Sequence, residues 1–203
     1  IYGLVALGLV HPDRVMTNRA ARAGDQLILG KALGVGILSA AFKQGRLGAD
    51  GYAALVGSAT RLNTPGPDLA RLEGVHAMTD VTGFGLLGHG LEMARGAGLT
   101  LELDPLAPRL LAGVEVLARE GVRTGASVRN WDSYGAEVRG AEALEPWRRD
   151  LLSDPQTSGG LLVAAAPAVA EEVLSRLQAA GFDAARVGQF AEGDAGIRLA
   201  PGV

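Results

Sequence analysis

The stretch "TDVTGFG", residues 79–85, places one carboxylate, two hydroxyls and two glycines between apolar segments. Gly83, Gly85 and Gly88 spell G-x-G-x-x-G, and Glu102 follows 19 residues after Gly83. With a short strand predicted before the turn and a helix after it, this is close to a dinucleotide-binding fingerprint, in which the acid holds a ribose and the helix start a pyrophosphate. Asp80 argues against that chemistry, because a bare carboxylate repels a pyrophosphate. A divalent cation removes the repulsion: magnesium takes oxygen ligands and joins carboxylates to substrate phosphates, while glycines let backbone N–H groups approach the same phosphates. The residue types therefore allow a metal-bridged phosphate at Asp80. They equally allow a structural turn in which glycine permits close packing and Asp80 caps the next helix.

A second stretch, "SDPQTSGG" at 153–160, collects an acid, an amide, three hydroxyls and two glycines. A turn uses the Asp-Pro and the Gly-Gly but has no need of Gln156, Thr157 and Ser158 together. Those side chains serve a ligand, the neighbouring glycine turn, or only a polar surface. In "SVRNWDSYG", Arg129 and Asn130 offer donors to an anion beside Trp131, although an Arg129–Asp132 pair on a solvated loop is the favoured reading. His11, His76 and His89 show no zinc-site spacing and are expected at the surface or half-buried. Lys31 in "GKALGVG" lacks the P-loop order and reads as solvent-facing or structural, not as a site residue.

The elements that position these groups emerge from hydrophobic pattern. Strands are predicted at 2–10, 26–29, 75–78, 99–103, 161–165, 185–187 and 196–199. Helices are predicted at 36–43, 52–62, from the glycine turn to Gly96 or Gly98, at 114–120, and from Pro167 to Gly181. "NTPGPD" reads as a loop, and 124–150 shows no firm period. Strands alternating with helices predict an α/β (α+β layered) fold. The chain has 203 residues, 48% of them hydrophobic, a net charge of −3 and no cysteine. That balance gives no basic surface for nucleic acid, and the absence of thiols excludes disulfides and thiolate chemistry in this chain. Apolar runs fall far short of the roughly 20 residues of a membrane span. The reading is a soluble, cytoplasmic protein, and the start at Ile1, within an apolar run, reads as a fragment of a longer chain.

Taken in order, "GLVHPDRV", "GDQLILGKALGVGIL", "GVHAMTDVTGFGLLGH", "RN" before an aromatic and "LLSDPQTSGGLL" resemble the selenophosphate synthetase family, also called selenide, water dikinase. The likeness runs from the first residues to about residue 165. It implies a superfamily shared with aminoimidazole ribonucleotide synthetase and thiamine-monophosphate kinase, with residues 1–15 as the tail of an N-terminal domain and 16–203 as the C-terminal domain. It implies a reaction in which ATP, selenide and water give selenophosphate, AMP and phosphate, with Mg2+ required and a homodimer in the full-length protein. By the match to "TDVTGFG", Asp80 is the expected metal ligand; Thr79, Thr82, Gly83 and Gly85 shape the nucleotide-binding turn, with Thr157, Ser158, Gly159 and Gly160 nearby. Around Lys31 the family more often has Thr-Lys-Pro, so Gly30 and Ala32 depart from it. The family's glycine-rich segment with its cysteine or selenocysteine, catalytic lysine and further aspartates has no match here. The resemblance therefore implies that this chain alone is inactive. A related ATP-using synthetase or small-molecule kinase would keep Asp80 and magnesium and change the acceptor.

Overall fold

"QLIL" at Gln26–Leu29 forms β1, and its apolar run is unbroken because both faces are covered: Leu27 and Leu29 enter one core and Ile28 the other. The computed structural model describes residues 3, 5, 7–12 and 15–202. The sheet is completed by β2 (Val75–Asp80), β3 (Thr100–Leu103), β4 (Val138–Arg139), β5 (Leu161–Ala165), β6 (Ala185–Ala191) and β7 (Gly196–Leu199). Their order is β2-β5-β1-β6-β3-β7-β4, antiparallel except where β7 runs parallel to β3 and β4.

The helices are α1 (Val35–Lys43), α2 (Ala49–Thr60), α3 (Gly66–Leu69), α4 (Gly85–Ala97), α5 (Val114–Arg119), α6 (Gly125–Tyr134), α7 (Pro146–Leu152) and α8 (Pro167–Ala179). The larger core gathers Ile37 and Leu38 of α1, Leu87 and Leu91 of α4, and Leu151 and Leu152 of α7 over one face of the sheet. On the other face, Val173 and Leu177 of α8 pack with Ile28, Val163 and Phe182. β5 feeds both cores, Leu162 and Ala164 into the first, Val163 and Ala165 into the second. The layered α/β expectation is met.

Several local expectations are corrected. Of the strand expected over 2–10, residues 2, 4 and 6 lie outside the described residues, and the others form no strand; Leu7 and Leu9 are exposed there. "NTPGPD" contains the start of α3, where Pro65 and Pro67 supply helical φ angles. The region 124–150 carries α6, two short 3-10 turns, β4 and α7. Its period was hidden because α6 turns Ser127, Asn130 and Tyr134 inward, a polar face that a hydrophobic pattern cannot register. Beyond Thr100, β3 buries Glu102 as well as its leucines. Glu102 accepts from Gln189 Nε2 at 2.8 Å and from Arg198, its partners on the two flanking strands.

Candidate functional site

Antiparallel pairing of β2 with β5 sets Asp80 opposite Leu161. The last residue of one strand thus meets the first of the other, and the turns at 79–85 and 153–160 become neighbours. Val81 N–H donates to Gly160 O at 2.9 Å, and Gln156 N–H donates to Thr82 O at 3.0 Å. The backbones approach so closely that a Cβ on Gly159 would lie 2.0 Å from Val81 O, and one on Gly160 2.3 Å from Lys31 N. Gly85, at φ +70, would put a Cβ 2.6 Å from the Ser153 carbonyl carbon. Close crossing therefore accounts for these three glycines. Gly83 differs: it is exposed, and among the described residues its added Cβ would meet nothing within 4 Å.

The carbonyls of residues 82–84 are engaged from behind. Thr82 O takes the Gln156 and Gly85 N–H groups, Gly83 O takes Asn130 Nδ2 at 2.8 Å, and Phe84 O takes the Tyr134 hydroxyl at 2.8 Å. Asn130 also donates to Ser153 O at 3.0 Å, so one buried amide ties the two turns together. Burial pushes the Tyr134 phenol up to about 12, which keeps it a donor. The Thr82 hydroxyl lies 3.1 Å from His89 Nε2, and His89, expected at the surface or half-buried, is buried within α4. Asp80 itself is exposed at the strand end, and among the described residues no side chain caps α4. The helix-cap reading of Asp80 therefore fails, and the first-turn N–H groups of α4 lack a side-chain acceptor.

Lys31 occupies the back of this junction. Only 5% exposed, it donates through Nζ to Arg61 O and Ser158 O, each at 2.6 Å, and to Ser58 O at 3.3 Å. Burial, then the Arg61 charge, pull its pKa down, while the Asp80 carboxylate pulls it up. The structural reading of Lys31 holds and the solvent-facing one does not. Ser158, whose carbonyl it holds, takes the left-handed φ of 54°. Asn63 Nδ2 fixes the next carbonyl, Gly159 O, at 2.9 Å.

Gln156 and Asp154 have a different task from the ligand-binding one considered for this turn. Gln156 Oε1 accepts from Gly34 N at 3.1 Å and Val35 N at 3.2 Å, while Asp154 Oδ2 accepts from Ile37 N at 3.1 Å. Together they satisfy the start of α1, whose own N-cap Gly34 has no side chain to do so. Asp154 is fully buried, and burial pushes its carboxyl up to about 7. Thr157 remains exposed at the tip. Of the expected site residues, the fold therefore gathers Thr79, Asp80, Thr82, Gly83 and Gly85 beside Thr157, Ser158, Gly159 and Gly160. Sequence reasoning missed Asn63, hidden in an apparent loop, and Tyr134, hidden in the unpatterned region.

Among the described residues no three His, Asp or Glu side chains cluster as a metal cage. An exposed carboxylate flanked by the Thr79 and Thr82 hydroxyl oxygens nevertheless suits magnesium, which retains waters and substrate phosphates among its ligands and needs few from protein. The dinucleotide reading loses its support: Glu102 is engaged within the sheet, and the glycine turn follows an antiparallel edge strand, not the switch point of a parallel sheet.

Comparison with known proteins agrees with this architecture. A curated selenide, water dikinase of Burkholderia orbicola (strain MC0-3) is 58% identical over 201 residues, covering 98% of this chain and 57% of that protein. One from Rhizobium meliloti (strain 1021) is 52% identical over 200 residues, covering 98% and 57%. The chain thus spans less than two thirds of the length of these relatives. The crystal structure of E. coli HypE superposes with a TM-score of 0.66 at 25% identity, over 91% of this chain and 49% of that one. That of thiamine-monophosphate kinase from Stenotrophomonas maltophilia K279a superposes at 0.65 with 19% identity, over 94% and 54%, and shows the shared fold. The family model described as AIR synthase related protein, C-terminal domain, matches residues 22–199, and the chain belongs to that family.

Proposed function

We propose that this chain is the C-terminal part of a selenide, water dikinase, which converts ATP, selenide and water to selenophosphate, AMP and phosphate. The observation that carries the reading is the junction at Asp80 and Leu161, where the two turns meet and leave an exposed carboxylate beside an exposed glycine. Identity of 52–58% to curated dikinases over nearly the whole chain supports the same activity. Residues 16–203 are read as the C-terminal domain, with 1–15 belonging to a preceding one, and the full-length protein as a cytoplasmic homodimer.

Asp80 would hold Mg2+, with Thr79 and Thr82 hydroxyls and the Gly83 backbone beside it. When bound, the ion would neutralise negative charge on the phosphates during phosphoryl transfer. The chain's own residues do the positioning. Asn130, Tyr134 and Gln156 engage the carbonyls of 82–84, so the turn presents its N–H groups, and not its carbonyl dipoles, toward an anionic substrate. Lys31 and Asn63 lock the facing carbonyls of Ser158 and Gly159. The test is AMP formation by the full-length protein with ATP and Mg2+. Strict dependence on selenide supports the reading, whereas turnover with another acceptor and none with selenide makes it a different kinase or synthetase of the superfamily.

A further inference from the structure

A cleft of about 340 Å³ lies between α1, the segment entering α6 and the turn at 155–157, near the low end of volumes that hold small molecules. Gly36, Ser39, Ala40 and Lys43 recur at helical spacing and form one wall. Arg123 and Thr124 face them, and Pro155 and Thr157 close the end. The charged side chains of the lining, Lys43 and Arg123, are both cations. Among the described residues nothing hydrogen-bonds or pairs with the Lys43 ammonium or with the hydroxyls of Ser39 and Thr157. Nearby carboxylates are already engaged. Asp150 accepts from Arg123 at 3.0 Å and from Arg149 at 3.4 Å, and Asp154 is sealed behind the α1 backbone by Ile37 N–H and Gln156. Unused donors on different walls, in a field made positive by Lys43 and Arg123, complement a tetrahedral oxyanion.

We propose that this cleft binds a phosphate group, with Lys43 as its counter-charge and Ser39 and Thr157 as hydroxyl donors. The proposal deepens the dikinase reading, because Thr157 is shared with the junction and such an enzyme must hold a phosphate that it releases. The anion is held by protein donors and needs neither Asp80 nor a metal. Its source is free phosphate or the phosphate of a nucleotide.

The test is calorimetric titration of the full-length protein with inorganic phosphate in metal-free buffer. Lys43→Met should weaken binding at least tenfold and Ser39→Val by a smaller factor, while Lys43→Arg should stay within about threefold of wild type. Asp80→Asn should bind no more weakly than wild type. Absence of binding to wild type, or equal binding to Lys43→Met, overturns the proposal. So does binding that Asp80→Asn abolishes. Displacement of the bound phosphate by AMP supports a nucleotide phosphate as the ligand, and failure of AMP to displace it supports free phosphate. If phosphate binds through Lys43 and yet the protein shows no selenide-dependent turnover, the cleft stands and the dikinase reading falls.

Discussion

At the junction of the two turns, glycine serves two purposes that one substitution, to alanine, separates. Gly159 and Gly85 are required by backbone crossings, so Gly159→Ala, with its Cβ 2.0 Å from Val81 O, should lose more than about 3 kcal/mol of stability. Among the described residues a Cβ added to Gly83 meets nothing within 4 Å, and its φ is not left-handed, so Gly83→Ala should change stability by less than about 0.5 kcal/mol. Urea denaturation of both variants checks the contrast. If Gly83 is there for a substrate, Gly83→Ala in the full-length protein should raise KM for ATP while its melting temperature stays put. Asp80 gives the sharper case. Exposed and, among the described residues, capping nothing, it loses only its attraction for the buried Lys31 ammonium on removal, so Asp80→Ala should shift the thermal midpoint little and lower kcat/KM by about 100-fold or more, roughly 2.7 kcal/mol of transition-state stabilisation. Near-normal turnover in that variant would remove Asp80 from the site.

Among the elements, α1 depends on a distant segment, since its first N–H groups are satisfied by Asp154 and Gln156, more than 100 residues away in sequence. Burial raises the Asp154 pKa in the folded chain from the ordinary 3.8 to about 7. The associated stability is fully present below about pH 4 and is lost as pH rises through about 7, on the order of a few kcal/mol. The domain should therefore melt at a lower temperature at pH 8 than at pH 5. Asp154→Asn should flatten that slope, because its amide oxygen still accepts from Ile37 N–H and its nitrogen faces Ser127 Oγ. A slope equal to wild type would assign the pH dependence to another group. These capping roles were not legible in "SDPQTSGG", where Gln156 looked available to a ligand. Elements that bury apolar side chains in step with their period, such as β1, β5 and α8, stood out in the sequence with correct bounds or nearly so. α6 did not, because its inward face is Ser127, Asn130 and Tyr134, and two of those anchor the candidate site. Asp80 and the glycines were legible as chemistry, but the frame that holds them is built from polar side chains whose partners lie far away in sequence.

The whole molecule rests on one sheet with a core on each face, and the two cores share strands. β1 and β5 each alternate side chains between them, so neither core can open without disturbing the strands that support the other. The small core of Ile28, Val163, Val173, Leu177 and Phe182 has no strand of its own. This coupling predicts that residues 1–203 unfold in urea as one unit. Among the described residues Trp131 and Trp147 pack against the larger core and not the smaller, so their fluorescence reports that side, while far-UV circular dichroism also follows α8 on the other face. The two signals should share one midpoint and one slope. Ala170→Asp, which buries a charge under α8, should shift both signals to lower urea together by the same amount. If the dichroism instead melts ahead of the fluorescence in that variant, α8 and its core are a separable layer, and the sheet does not couple its two faces.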